Sequence, residues 1–469
     1  MNKVAIIGAG ITGLTAAFYL RRKGVPVVIY ESNGRVGGVI QSMREDGYLA
    51  EFGPNTIVES APGITELIRD AGLEGQRLDT DPRAEARFVA RYRRPVQMPG
   101  SPIGFFKTEL FSMKAKLALL REPFVPRRSD GKEESIAEFV ERRLGKEFLD
   151  HAVDALVGGV YAGDPRKLSV SQAFPKLHQL EIQYGSLIKG QILGARERKK
   201  RAEVAKDRAP KFSFKEGLQT LPEALILGQD VRLNTTVLKA TQNPDGWTLE
   251  LRNANNVTRA EHSAVLYAGT AFKLAELQLD TEVPIRLESF SEIRYSPVAS
   301  VVLGFKREDV AHPCQGFGVL VPKIENFKIL GTIFSSSLFP NRAPEGHILL
   351  TTYAGGERYP EMASLSAQKL VALVCEDLRV LLGVSGTPTF QHTFAYPRAI
   401  PQYNIGYEKH RINMNQVEAQ APGFFLAGHY RDGVSLSDSI ISGCTAASRV
   451  EKYCAMERNN MVLQHQNAN

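Results

Sequence analysis

The chain reads as an α/β protein: a Rossmann-like dinucleotide-binding domain, a separate antiparallel β-sheet, and a mainly helical insertion between them. Three observations carry this reading. Gly8, Gly10 and Gly13 form a Gly-x-Gly-x-x-Gly turn between an apolar run and a helical pattern, with Glu31 about 20 residues on. Strand and helix patterns alternate over the first seventy residues. Near the C-terminus, Gly423-Phe424-Phe425-Leu426-Ala427-Gly428 followed by a helical run forms a second strand–Gly–helix unit.

Residues 3–7 predict a buried strand, since they show no polar alternation. Gly8 permits the tight turn after it, Gly10 lets backbone approach a pyrophosphate, and Gly13 lets the helix pack on the strand. That helix runs to about Arg22 and aims free N–H groups at the phosphates. Ala9, Ile11 and Thr12 complete the turn. Residues 25–30 predict the second strand, ending at Glu31 and Ser32, where a carboxylate can accept ribose hydroxyls. Further on, residues 63–73 and 133–143 read as helices, as do 146–156. Arg87-Phe88-Val89 opens a strand that Pro95 and Pro99 interrupt, and residues 100–128 mix Phe and Leu with Lys at helical spacing. A hairpin is expected from 231–240 and 247–251 around Asn243-Pro244-Asp245-Gly246. Residues 264–267 return to the dinucleotide sheet, β-rich runs fill 299–356, and a helix spans 436–451.

Composition narrows the class. The chain has 469 residues, 43% of them hydrophobic, enough for two or three cores. Cys314, Cys375, Cys444 and Cys454 include no C-x-x-C pair, and none of the nine histidines forms a ligand pair, so no metal site is expected. The net charge of +7 is uneven: residues 194–211 hold eight Lys/Arg against three acids. That run is a solvated helix end or a site for anionic headgroups, and without interleaved aromatics it does not suggest nucleic acid. No signal peptide or spanning segment is expected, which points to a cytoplasmic protein, soluble or peripheral on the membrane face.

The turn Gly34-Arg35-Val36-Gly37-Gly38, placed directly after Glu31, resembles the signature of the flavin amine oxidase superfamily. The resemblance implies non-covalent FAD, with Arg35, Gly37 and Gly38 beside its pyrophosphate and Gly53, Pro54, Asn55 and Thr56 near it. The C-terminal turn at Gly428, with Val434, Ser435 and Leu436 opening a helix, can stabilise charge on the reduced ring. His429 beside it is read as structural.

More specific segments are similar to the protoporphyrinogen oxidase family: Gly158-Gly159-Val160-Tyr161-Ala162-Gly163-Asp164-Pro165, Gly316-Phe317-Gly318-Val319-Leu320-Val321-Pro322, Ser335 to Pro340, and Ala399-Ile400-Pro401-Gln402-Tyr403. They run in order over nearly the whole chain. The resemblance implies that Arg87 clamps a propionate, that Leu320, Ile333 and Tyr353 sandwich the macrocycle, and that Gly159 approaches it. Val237 would lie near the adenine and Tyr396 beside the flavin, where the family often has Trp. Tyr353 brings a hydroxyl that needs a partner if buried.

The expected domains are then FAD-binding segments at 1–80, 212–280 and 401–469, a substrate domain at 81–99 and 281–400, and a membrane-binding insertion at 100–211. The implied reaction is oxidation of protoporphyrinogen IX to protoporphyrin IX in heme biosynthesis, by three hydride transfers with dioxygen as acceptor and hydrogen peroxide as product. No side chain is assigned as catalytic, since the chemistry demands orientation. Coproporphyrinogen III oxidation is the nearest alternative. A non-catalytic lipid-handling protein on the same fold is the alternative of another class. An anionic membrane surface, a second copy of the chain and a chelatase receiving the product are the expected partners.

Overall fold

The computed structural model describes residues 2–128, 130–200 and 209–467, without the side chains of 195–200 and 460–467. Its first sheet is five-stranded and parallel, in the order Val231–Arg232, Val27–Tyr30, Val4–Ile7, Val265–Tyr267, Phe424–Leu426. Val4–Ile7 lies in the middle, which is why it carries no alternation. Helix Ile11–Arg22 follows it and crosses the C-terminal helix Leu436–Asn467 closely. A Cβ on Gly443 would stand 2.5 Å from the Thr12 carbonyl oxygen. The C-terminal helix extends well past the expected 451.

A four-stranded sheet, Asn256–His262, Gly246–Asn253, Thr235–Asn243, Gln278–Asp280, lies beside the first. The expected 231–240 strand is two strands: Val231–Arg232 pairs with the parallel sheet, and Thr235–Asn243 makes the hairpin. Asn234 bends the chain between them at φ 53°. Asn256–His262 is a strand that sequence reading missed, because most of its residues are polar and solvent-facing.

The third large sheet has seven strands: Phe390–Pro401, Tyr295–Lys306, His347–Gly355, Ile329–Phe334, Gly318–Leu320, Arg87–Arg91, Arg94–Gln97. It is antiparallel apart from the pairing of Gly318–Leu320 with Arg87–Arg91, which is parallel. Pro95 does not end the pattern; it sits on the edge strand of the sheet, where a missing N–H costs nothing. One face packs Val301, Leu303 and Phe305 against helix Ala367–Leu382. The other turns toward the helical insertion.

The insertion is held by buried charge. Arg143 lies on helix Ile136–Arg143, which starts in a Ser135/Glu138 capping box. Its guanidinium donates to Glu122 at 2.9 Å and to Glu181 at 2.8 Å. Glu122 in turn accepts the Leu187 and Ile188 N–H groups, capping helix Leu187–Lys200. These bonds hold the Glu122 carboxyl below its usual range, against the burial that would raise it. The helix expected at 146–156 runs on through a π-turn, Leu149–Val153, into Asp154–Tyr161.

Candidate functional site

A cavity of about 980 Å³ runs between the parallel sheet, the seven-stranded sheet and helix Asp154–Tyr161. Gly8, Gly10, Ile11, Thr12, Glu31, Ser32, Gly37 and Gly38 line one end, with Gly53, Pro54 and Val237. Gly428, Val434, Ser435, Leu436 and Tyr396 line it too, and so do Gly159, Ile333 and Tyr353. Segments more than 400 residues apart in sequence therefore share one wall.

The dinucleotide end is built for an anionic ligand. Gly8 has φ +108°, and a Cβ there would meet the Ala268 carbonyl carbon at 3.1 Å. A Cβ on Gly10 would project into open space, leaving backbone to face the ligand, while one on Gly13 would lie 2.1 Å from the Gly8 oxygen. Helix Ile11–Arg22 has no side-chain cap, so its first N–H groups are left for a phosphate. Glu31 accepts from the Ala9 N–H at 2.8 Å and the Asn33 N–H at 2.8 Å, which fixes the carboxylate. Thr12 donates to the Ser439 carbonyl at 3.0 Å and ties the two helix starts together. Ser435 caps the C-terminal helix by accepting the Asp438 N–H.

Five predicted residues of this end are not in the wall, Asn55 among them. Ala9 and Gly13 act from behind it, as just described. Arg35 turns its guanidinium onto its own loop, donating to the Val36 and Ile40 carbonyls at 3.1 and 3.0 Å and to Gly38. It braces the turn that carries Gly37 and Gly38. Thr56 lies beyond Pro54, outside the wall.

Tyr353 has the partners that its hydroxyl requires. It donates to the Gly53 carbonyl at 2.8 Å and accepts from Asn55 Nδ2 at 2.7 Å. Asn55 is thus absent from the wall because it is joined to Tyr353, linking the 53–56 loop to the seven-stranded sheet. Burial pushes the Tyr353 phenol well above its usual range.

Gly159 and Leu320 meet each other. A Cβ on Gly159 would lie 2.4 Å from a Leu320 δ-methyl, so Leu320 packs behind Gly159 rather than in the wall. The neighbouring Gly158 makes room for Arg358, whose guanidinium bonds Asp154 at 2.7 Å and the Val321 carbonyl at 2.6 Å. Two adjacent glycines cost helix propensity, and close approach to the sheet is what they allow. Arg87 is also outside the wall. It pairs in register with Gly318, which pairs with Ile333, so it lies on the Ile333 row two strands away, roughly 10 Å at ordinary strand spacing.

Sequence reading missed much of the wall: Thr235, Thr236, Arg252, residues 267–270, Phe272, Lys273, Val298, Leu330 and residues 399–401. The Ala268-Gly269-Thr270 run was visible as a returning strand, but nothing in it marks a site. His429 lines the cavity as well. Its Nε2 lies 3.1 Å from the Tyr295 hydroxyl, which accepts the Ala271 N–H, and Tyr403 donates to its carbonyl oxygen. Burial lowers the imidazole to about 4, so the ring is neutral.

The residues present fit a flavin dinucleotide. Two buried hydroxyls in the wall, those of Thr270 and Tyr396, have no protein partner among the described residues. Burial pushes Tyr396 up to about 12, with the Arg35 charge pulling the other way. Unpaired polar atoms in an otherwise closed wall are what a bound polar ring would satisfy. No group of three or more potential metal ligands occurs among the described residues.

Comparison with known proteins agrees with this geometry. Residues 11–451 match the family described as flavin containing amine oxidoreductase. Protoporphyrinogen oxidase 2, chloroplastic/mitochondrial, of Arabidopsis thaliana is 35% identical, over 96% of this chain and 94% of that protein. Coproporphyrinogen III oxidase of Bacillus subtilis (strain 168) is 30% identical, over 96% of this chain and 98% of that one. The crystal structure of a candidate protoporphyrinogen oxidase from Exiguobacterium sp. 255-15 superposes with a TM-score of 0.80 at 23% identity, covering 96% of this chain and 98% of that one. The chain belongs to the flavin containing amine oxidoreductase family, on the branch that holds the protoporphyrinogen and coproporphyrinogen III oxidases, and FAD is its cofactor.

Proposed function

We propose that this protein oxidises a porphyrinogen in heme biosynthesis, with protoporphyrinogen IX as substrate and dioxygen as final acceptor. The observation that carries the reading is the single cavity in which the dinucleotide grip and the apolar residues Val298, Leu330, Ile333, Tyr353 and Ile400 face one space. A porphyrinogen is a large, mostly apolar ring, and such a wall suits it. FAD, when bound, supplies the two-electron acceptor for dehydrogenation. The glycine turn, Glu31 and the two helix starts would hold that group. Ile333, Tyr353 and the Gly159 backbone would orient the macrocycle and exclude water, with Arg87 in reach of a peripheral carboxylate at the sheet's far edge. Coproporphyrinogen III is the second reading, favoured by the 30% identity to the Bacillus subtilis enzyme.

Attachment to an anionic membrane surface is part of the proposal. No helix among the described residues is long and apolar enough to cross a bilayer. On the insertion, Ile103, Phe106, Met113, Leu117, Leu120 and Phe124 are exposed, Phe124 by 83%, beside exposed Lys107 and Lys114. Phe105 and Phe111 instead stack on Phe148 inside. The helical spacing of 100–128 thus serves two faces, one packed and one outward. Lys116 is not part of that surface, since it is buried and donates to the Phe106 and Thr108 carbonyls. Residues 201–208 of the basic 194–211 run lie outside the described residues, and the side chains of 195–200 are not described. A second copy of the chain and a chelatase taking the product remain partners to seek by cross-linking.

Aerobic turnover of both porphyrinogens, read by product fluorescence, tests the function. Oxidation no faster than the spontaneous rate overturns it.

A further inference from the structure

We infer that Arg398 is the residue that receives a peripheral carboxylate of the substrate at the rim of the cavity, and that it sets preference among porphyrinogens by their number of propionates. The inference rests on the porphyrinogen reading above. Three observations support it.

The strand Phe390–Pro401 pairs Tyr396 with Val298 and Ile400 with Ser296, so the three residues Pro397, Arg398 and Ala399 stand opposite Pro297 alone. A bulge of this kind breaks alternation and re-aims side chains. Here it lets Tyr396, Ala399 and Ile400 all face the cavity, with Arg398 exposed at the apex among them.

The guanidinium is held in place there. Its central carbon lies 4.8 Å from the centre of the Phe272 ring, and Phe272 is itself part of the cavity wall and packs edge-on against Tyr295 at 5.0 Å. Stacking on an aromatic face restricts the side chain while leaving its N–H edge open.

Arg398 also has no hydrogen bond or ion pair among the described residues. The nearby wall cation Lys273 is already paired with Glu276 at 2.7 Å. A planar fork, fixed by a ring and without a carboxylate of its own, is suited to bidentate recognition of a propionate. Arg87 lies on another strand at the opposite side of the sheet, so the two cations would engage different edges of one macrocycle.

The test compares the holoenzyme with Arg398→Gln and Arg398→Lys, using protoporphyrinogen IX with two propionates and coproporphyrinogen III with four. Losing a charge-assisted bond should raise KM for coproporphyrinogen III about tenfold in Arg398→Gln, with a smaller rise for protoporphyrinogen IX and kcat little changed. Arg398→Lys should recover part of the loss, since it keeps charge without the fork. A second measurement, fluorescence titration of the holoenzyme with coproporphyrin III and with a carboxylate-free porphyrin, should show weakening by Arg398→Gln for the first alone. Equal KM values and equal titrations across the variants overturn the role of Arg398 while leaving the function standing. If the parent protein turns over neither porphyrinogen, the function fails, and the titration still decides whether Arg398 binds the carboxylate.

Discussion

Gly159 shows how much one side chain can decide at this site. Its missing Cβ is the space that a Leu320 methyl fills, at 2.4 Å from where the Cβ would stand. Gly159→Ala must therefore push Leu320 and the helix apart. A misplacement of that size is expected to lower kcat/KM by about 10²-fold, and Leu320→Ala in the same chain should restore part of it. Steady-state kinetics of the single and double variants check this; an unchanged single variant would mean the wall does not position the substrate. Tyr353 supplies the complementary case. Removing its hydroxyl in Tyr353→Phe leaves Asn55 Nδ2 and the Gly53 carbonyl with only their long 3.4 Å bond to each other, a cost of about 1 kcal/mol. Chemical denaturation should show it as an earlier midpoint, and looser FAD binding should accompany it because Gly53 and Pro54 line the cavity beside the glycine turn.

At the scale of elements, the insertion has a packed interior and an apolar outward face. Its interior is closed by the Arg143, Glu122 and Glu181 bonds and the Phe105, Phe111, Phe148 stack. Its outward face leaves Leu120 and Phe124 in solvent at 60% and 83% exposure. Replacing both by Gln removes little packing, chiefly the Lys189 ammonium lying 6.0 Å from the centre of the Phe124 ring, so the melting temperature should hold while cosedimentation with anionic liposomes drops at least severalfold. Binding that survives unchanged would rule out this face as the proposed membrane contact. These elements were legible to different degrees. The Gly8–Gly13 turn reads directly, because its chemistry is local. The strand Asn256–His262 does not, because a solvated edge strand has no apolar signal and is held by pairing with a partner already formed.

For the whole molecule, buried histidines set the response to acid. Burial lowers His429 from 6.5 to about 4, and it lowers His151, His262, His312 and His410 in the same sense. In that window the unfolded chain binds protons that the folded chain refuses, so stability falls as pH drops below 6.5, by at most about 3 kcal/mol for His429. Glu51 works the other way. Burial raises it to about 7, so its share of stability fades as pH rises from 4.5 toward that value. Denaturation midpoints between pH 4 and 7 should show a steep acid limb that is shallower in His429→Gln; identical limbs would remove His429 from the account.

By itself the sequence determined the cofactor grip and the family, because a phosphate turn, a ribose acid and a run of ordered motifs are written in contiguous residues. It also named under half of the residues that line the cavity. Only the tertiary structure decided which of them face it. Arg35, Asn55 and Leu320 look equivalent to their neighbours in the chain, yet each turns to brace a loop, hold a tyrosine or fill the space behind a glycine. Arg398 carried no sequence signal at all. Its position depends on a bulge and on a phenylalanine 126 residues away, and the direction of a side chain follows from such pairing and packing, not from residue type.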